Sequence, residues 1–212
     1  MAYRGMIDGD QHPNAAKMAK RIPAIMKQNW IAGLTLDAAE QRFVSAPFGT
    51  LKQQERIETS WLIERMAVLA WAIGAAELPP FYLRVNGANV SSTLGMFQPG
   101  AEEKIENARL RDPEEILMGA RTYAALTWRL TEYVRDSTPI DFYQKIKDPE
   151  SHHLTVDGLE FCDSDLAVEG VPLRKVEDAL LRLTCAIVYQ RNRQFRWLLG
   201  FERGESVVPT VN

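Results

Sequence analysis

The chain has 212 residues, 46% of them hydrophobic, and a formal net charge of -3. That length suits one domain, spanning residues 1–212, with a core large enough to need neither staples nor metals. The slight acidic balance argues against nucleic acid as the main partner, because a phosphate-binding surface usually carries a basic excess.

Cys162 and Cys185 lie far apart, in different expected elements, so free thiols in a reducing compartment are the simpler reading. Residues 1–30 show no uninterrupted apolar segment ahead of a small-residue cleavage site. The longest apolar run, Met66 to Ile73, is too short to span a bilayer. The expected location is the cytoplasm, with no membrane association.

Residues 1–12, with Gly5 and Gly9, read as a flexible lead-in. Pro13 suits the start of a helix from about Ala15 to Trp30, which Pro23 should kink or split. Lys17, Lys20, Arg21 and Lys27 give it a basic face, read as solvated surface. Gly33 ends it. Thr35 is a good N-cap for a short helix through Phe43, with Asp37 in its first turn, and Pro47-Phe48-Gly49 breaks that helix.

The stretch from Glu55 to Leu78 is the expected centre of the fold. It opens polar, turns wholly apolar from Met66 to Ile73, and is stopped by Pro79-Pro80. A helix apolar on every side needs neighbours on every side. From Pro79 to Gly100, two glycines before the last, a proline and the Asn86-Gly87 pair predict a long surface loop with little regular structure, a possible lid or partner loop. Ala101 to Leu110 reads as a polar helix. Asp112 caps the next, with Pro113 at its first position and Glu114 and Glu115 in its first turn. Ile116, Ala120, Tyr123, Thr127, Leu130 and Val134 carry that helix to about residue 134 at helical spacing. Pro139 opens a short helix over 140–146. Residues 152–172 read as one or two β-hairpins, with turn pairs among apolar residues. Pro172 opens the last helix, about 173–199, which Gly200 stops, and residues 201–212 form an extended tail. The predicted fold class is mainly α: a single helical domain around a buried central helix, about 55–78, with a small β-hairpin appendage, about 152–172.

Two charges stand on apolar stripes. Glu64 shares a stripe with Ile57, Trp61, Val68, Trp71 and Ala75. Arg191 shares one with Val176, Leu180, Leu183, Ile187, Phe195 and Leu198. An unpaired buried charge is costly, so a buried Glu64–Arg191 salt bridge is expected, with Arg121 on the third long helix as the rival partner for Glu64. A strut is the plainer role for such a pair, since removing one member of a buried pair costs about 3–5 kcal/mol. A site would need a cleft beside it and a shifted carboxylate.

Other motifs carry less. Asp10-Gln11-His12 has a metal-site spacing but sits in the lead-in. His152-His153 with Asp157, Asp163 and Asp165 has the donors for a divalent ion, yet adjacent histidines on a strand point apart and turn aspartates have backbone reasons. No phosphate-cradling glycine loop, nucleophile elbow or His-Glu-x-x-His pair is present. Cys185 lies in an apolar helix and reads as a packed thiol. Arg191, Arg193, Arg196 and Arg203, interleaved with Phe195, Trp197 and Phe201, imitate a nucleic-acid stripe, but cations also suit a helix C-terminus.

The run Trp61-Leu-Ile-Glu-Arg-Met-Ala-Val-Leu-Ala-Trp-Ala-Ile-Gly, followed by Leu78-Pro79, resembles the bacterial domain-of-unknown-function family 4272, whose members carry a Glu, an apolar stretch ending in Trp-Ala-Leu-Gly, and then Leu-Pro. Arg111-Asp-Pro-Glu-Glu-Ile-Leu ahead of Trp128, Asp165-Leu-Ala-Val-Glu-Gly-Val-Pro-Leu, and Arg191 through Trp197-Leu-Leu-Gly fit the same family. Gln190 stands where a Glu usually precedes that Arg, and the tail lacks the usual Trp-Asp and Asp-Thr ending. The resemblance implies that Glu64, Trp71, Trp128, Arg191 and Trp197 belong to the family's framework. It brings no established activity.

The leading expectation is a non-enzymatic cytoplasmic protein-interaction module that binds a partner protein or a second copy of itself, with no cofactor, no metal and no nucleic acid. The alternative is a small-molecule-binding protein or enzyme using Glu64 and Arg191 in a helical cleft, with Trp61 or Trp128 as an aromatic wall. A solvent-filled cleft at Glu64 would favour the alternative, and a dry interior the first.

Overall fold

The computed structural model describes residues 38–201, apart from Phe48, Phe97 and His152, together with Lys20. The expected helix over 15–30, the Thr35 cap, the Asp10-Gln11-His12 motif and the tail beyond Phe201 lie outside the described residues.

Seven helices and a small antiparallel sheet form the described fold. They run α1 (Ala38–Ser45), α2 (Gln53–Ala72), α3 (Gly87–Leu94), α4 (Ala101–Glu106), α5 (Pro113–Arg135), α6 (Phe142–Ile146), β1 (Phe161–Cys162), β2 (Asp165–Val168), β3 (Val171–Pro172) and α7 (Asp178–Leu198). Single 3-10 turns occupy Pro149–Ser151 and Leu173–Lys175. The architecture is the expected one, mainly α with a small β appendage.

The central helix α2 is shorter than predicted. Glu55 opens it by accepting the backbone N–H of Lys52 at 2.9 Å. Gly74, not Pro79, ends it. Gly74 takes a left-handed φ of 69° and donates to Trp71 O, while Ala75 donates to Ala70 O. That pair of bonds satisfies the last carbonyls, and only a glycine adopts the turn without strain. Arg111 adds a cation there: its backbone N–H reaches Ala72 O at 2.7 Å and its Nε reaches Trp71 O at 2.8 Å.

Two apolar clusters flank α2. Ile63, Ala67 and Ala70 meet Val90 and Leu94 of α3. Val68 faces the larger cluster, which α5, α7 and the sheet share. The prediction of neighbours on every side is corrected in detail: Leu69 is 36% exposed and Ile57 45% exposed. At that end the buried residues are Thr59 and Ser60, whose hydroxyls donate to the helix's own carbonyls, Glu55 O and Ile57 O, at 2.7 Å each. A polar group satisfied by its own helix is cheap to bury.

The predicted loop over 79–100 contains a helix, α3. Asn86-Gly87, counted toward the loop, is its start: the Asn86 side chain accepts the N–H of Ala88 and of Asn89. Gly95, left-handed, closes it. The segment before it, from Pro79 to Val85, buries Phe81 and turns the carbonyls of Pro79, Pro80 and Leu83 toward Arg191, while the Pro80, Leu83 and Arg84 side chains stay exposed at the surface. The predicted polar helix from Ala101 ends at Glu106, and the short helix predicted from residue 140 starts at Phe142, where the Asp141 side chain accepts the N–H of Gln144.

α5 is as predicted, with Asp112 accepting from Glu114 N–H and Pro113 leading, although Val134 at its end is 67% exposed. α7 packs against both α5 and α2. It begins at Asp178, so Val176 lies outside the helical stripe on which it was counted. The sheet order is β1-β2-β3, with Phe161 opposite Leu166 and Val168 opposite Val171. Both connections are two-residue turns with positive φ, Asp163-Ser164 and Glu169-Gly170, the backbone sense that matches strand twist.

α5 and α7 approach closely at Gly119. A Cβ there would lie 2.7 Å from the Phe195 ring. Phe195 is sealed and held by Tyr123, stacked at 5.2 Å, and by Trp71, edge-on at 5.4 Å. The ring cannot give way freely. Gly119→Ala should therefore cost about 1–3 kcal/mol by overpacking, outweighing the helix preference for alanine. A urea melt that finds the variant as stable as the parent, or more so, would show that the helices can part at this point.

Candidate functional site

Arg191, in the middle of α7, is fully buried, as is Glu64 of α2. The two form the predicted ion pair. Arg191 Nε donates to Glu64 Oε2 at 2.9 Å, and Nη2 lies at the same distance from that oxygen. The other carboxylate oxygen, Oε1, accepts the backbone N–H of Val85 at 2.8 Å. The rest of the guanidinium is also engaged. Nη1 donates to Pro79 O at 2.8 Å, Pro80 O at 3.2 Å and the Tyr123 hydroxyl at 3.0 Å, and Nη2 donates to Leu83 O at 2.8 Å.

The 79–85 segment is suited to this. Pro79 and Pro80 have no backbone N–H to satisfy, so the polar groups they bring inward are carbonyls, and a guanidinium is the side chain with enough donors to meet several at once. Tyr123 of α5 closes the cluster. Burial raises the Tyr123 phenol above its ordinary 10.0; the Arg191 charge and hydrogen bond oppose the shift, and the Glu64 charge adds to it.

The other sequence candidates separate from the pair. Arg121, the rival partner, is half-buried on α5 and makes no ion pair with Glu64. Trp61, one turn ahead of Glu64, carries the Arg84 guanidinium 4.5 Å above its ring, and Arg84 Nη2 donates to Ser60 Oγ at 3.4 Å. Trp128 stacks on the sealed Phe142 ring at 5.8 Å. It forms one wall of a cavity of about 720 Å³ between the end of α5, the turn at 136–141 and α6.

A second buried ion pair escaped the sequence reading. Arg129 of α5, 1% exposed, donates Nε to Asp165 Oδ1 at 2.7 Å and Nη2 to Oδ2 at 2.5 Å. Asp165 Oδ1 also accepts the N–H of Leu166. Such a two-pronged contact is the geometry a guanidinium and a carboxylate favour. The signal was present: Arg129 lies three residues after Leu126 and beside Leu130 on the α5 core face, and Asp165 heads a strand whose four residues are all buried. On sequence alone Asp165 counts among the turn aspartates. Asp163, counted with it, pairs with Arg174 at 2.7 Å. Among the described residues no group of three or more His, Cys, Asp or Glu side chains is placed to hold a metal ion; His152 lies outside them.

Cys162 and Cys185 are free and half-buried, and burial pushes the Cys185 thiol up. The basic stripe on α7 is broken, because Arg191 points inward while Arg196 is exposed. Arg203 is outside the described residues.

Glu64→Gln leaves the Arg191 charge without its counter-ion in a sealed interior, so its unfolding free energy should fall by about 3–5 kcal/mol in a denaturant titration. An unchanged midpoint would refute the strut. The raised phenol has a signed consequence. Tyr123 favours folding while protonated, so its contribution is complete below pH 10.0, the ordinary value, and drains away as pH climbs through the raised one. Alkaline unfolding followed at fixed urea should be less steep in Tyr123→Phe than in the parent, despite the hydrogen bond that variant loses.

Comparison with known proteins gives a partial anchor. No curated protein and no solved structure matches the chain. The family model described as Domain of unknown function (DUF4272) matches residues 7–142, more than half of the sequence. The match includes Glu64, Trp61, Arg121, Tyr123 and Trp128 and stops before Asp165 and Arg191, so the hairpin and closing-helix segments of the resemblance lie beyond it. The chain belongs to the domain-of-unknown-function family DUF4272.

Proposed function

We propose that this protein is a non-enzymatic cytoplasmic interaction module that binds a partner protein, a second copy of the chain being the first partner to test. The observation that carries this reading is the closure of the Glu64–Arg191 cluster. Both carboxylate oxygens and all three guanidinium nitrogens are taken up by protein groups, and neither side chain has any exposure. A pair with every nitrogen and oxygen engaged and no exposed surface presents neither side chain to a substrate, which favours the strut over a catalytic or ligand-binding role.

The outward side of α7 supports the reading. Tyr189 and Trp197 are 41% and 44% exposed on α7, with the Arg193 guanidinium 5.9 Å over the Tyr189 ring, and Phe201, 72% exposed, follows just past the helix end. Aromatic and arginine side chains of this kind are enriched in protein interfaces. The inward Arg191 and the net charge of -3 weigh against nucleic acid. No helix among the described residues is long and apolar enough to cross a membrane.

Sedimentation of the purified chain, alone and mixed with whatever co-purifies from native lysate, tests the reading. A self-association or a stoichiometric complex that rebinds from pure components, and that weakens in Trp197→Ala and Phe201→Ala, is the expected result. A strictly monomeric chain with no reconstitutable partner, or a complex indifferent to both substitutions, would refute it.

A further inference from the structure

The cavity beside α6 is a second place where polar groups converge, and nothing in the interaction reading uses it. Its floor is Arg129. Two of that guanidinium's nitrogens are committed to Asp165, and the third, Nη1, donates to no protein acceptor. It is not a sealed atom either: the buried side-chain polar atom left unpartnered among the described residues is Thr184 Oγ1. Arg129, 1% exposed, lines the cavity, and Nη1 is its one nitrogen without a protein acceptor. A fixed, desolvated cation with one nitrogen left without an acceptor is a strong attractor for an anionic oxygen.

The rim has the opposite character. Asp136 accepts both the N–H and the hydroxyl of Thr138 on one oxygen, Oδ1, and Asp141 accepts the Gln144 N–H on its Oδ1. Each keeps a second oxygen unoccupied. The two hydrogen bonds from Thr138 hold the Asp136 carboxyl below its ordinary range, so it stays ionised. The basic rim groups are already engaged: Lys145 Nζ lies 3.0 Å from Asp148, and Lys147 Nζ lies 4.0 Å from the Tyr143 ring centre. Trp128 and Ile140 supply apolar wall between floor and rim.

We propose that this cavity binds a small zwitterion of the α-amino-acid class, its carboxylate on Arg129 Nη1 and its ammonium on Asp136 and Asp141, with the side chain against Trp128. A volume of about 720 Å³ is ample for such a ligand. The charge pattern excludes simpler ones. An inorganic phosphate drawn to Arg129 would face the carboxylates of Glu132, Asp136, Asp141 and Asp148, and a plain amine would face the guanidinium. The site is independent of the α7 surface, so the two readings stand or fall separately.

The test is a titration calorimetry and Trp fluorescence panel on the full chain, with the L-amino acids one by one, propionate, propylamine and inorganic phosphate. At least one L-amino acid should bind, and the three single-charge probes should bind at least about tenfold more weakly, since each lacks one charge-assisted contact. The paired substitution Asp136→Asn with Asp141→Asn keeps the Oδ1 acceptors, and hence both local caps, and leaves Arg129 and its partner untouched. It should retain the parent melting temperature and weaken amino-acid binding by about tenfold or more. Failure of every amino acid to bind, equal binding of propionate or phosphate, or undiminished binding by the folded double variant would each overturn the proposal.

Discussion

The guanidinium of Arg191 is the constraint on which the described fold depends. A cation with no access to water must have its donors met, and here they are met by three separate parts of the chain: Glu64 on α2, Tyr123 on α5, and the carbonyls of Pro79, Pro80 and Leu83. Buried ion pairs are poor sources of net stability compared with apolar packing, because desolvation offsets the attraction. What they supply is discrimination. If α7 slid by one turn along α2 and α5, the same desolvation would remain and every one of these partners would be lost. The cluster therefore fixes register among helices whose apolar faces alone would tolerate several.

The same logic explains how the small sheet is attached. Its strands are two to four residues long, too short to be stable alone. β2 buries all four of its residues, and Asp165 at its head is clamped by Arg129 from the C-terminal half of α5. Arginines from two of the long helices thus anchor the two irregular regions, the 79–85 segment and the hairpins. The difference between them is closure. Arg191 is surrounded on all sides by its acceptors, whereas Arg129 has a cavity on one side. On the readings proposed above, the sealed pair is a strut and the pair beside the cavity is a place where something further can be held.

Much of this was legible in the residues. The α5 start could be read from Asp112 and Pro113 because capping is a contact between a side chain and the backbone two residues away. The Glu64–Arg191 pair was legible because helical periodicity puts each charge on a core face, and two opposite charges with no water between them have few other solutions. What was missed is instructive. Gly74 was passed over as the end of α2 in favour of Pro79, although a left-handed glycine terminates a helix as firmly as a proline. Asn86-Gly87 counts toward a loop on sequence alone, but the same dipeptide can start a helix; burial of Val90 and Leu94 against α2 selects the helix, and that burial is a long-range fact. Ile57 was placed inward on its periodicity, yet Thr59 and Ser60 are buried instead, since hydroxyls satisfied by their own helix can take a core position.

By itself the sequence determined where helices could start and stop, which of their faces are apolar, and that two charges would have to be neutralised inside; each follows from interactions within a few residues or from spacing along one element. Only the tertiary structure decided that Arg121 stays apart from Glu64, that the two prolines turn their carbonyls inward, that Arg129 grips Asp165, and that Trp128 borders a cavity rather than the central pair. Those outcomes depend on which surfaces, distant in the chain, come to exclude water from one another, and a charge's surroundings exist only once they have done so.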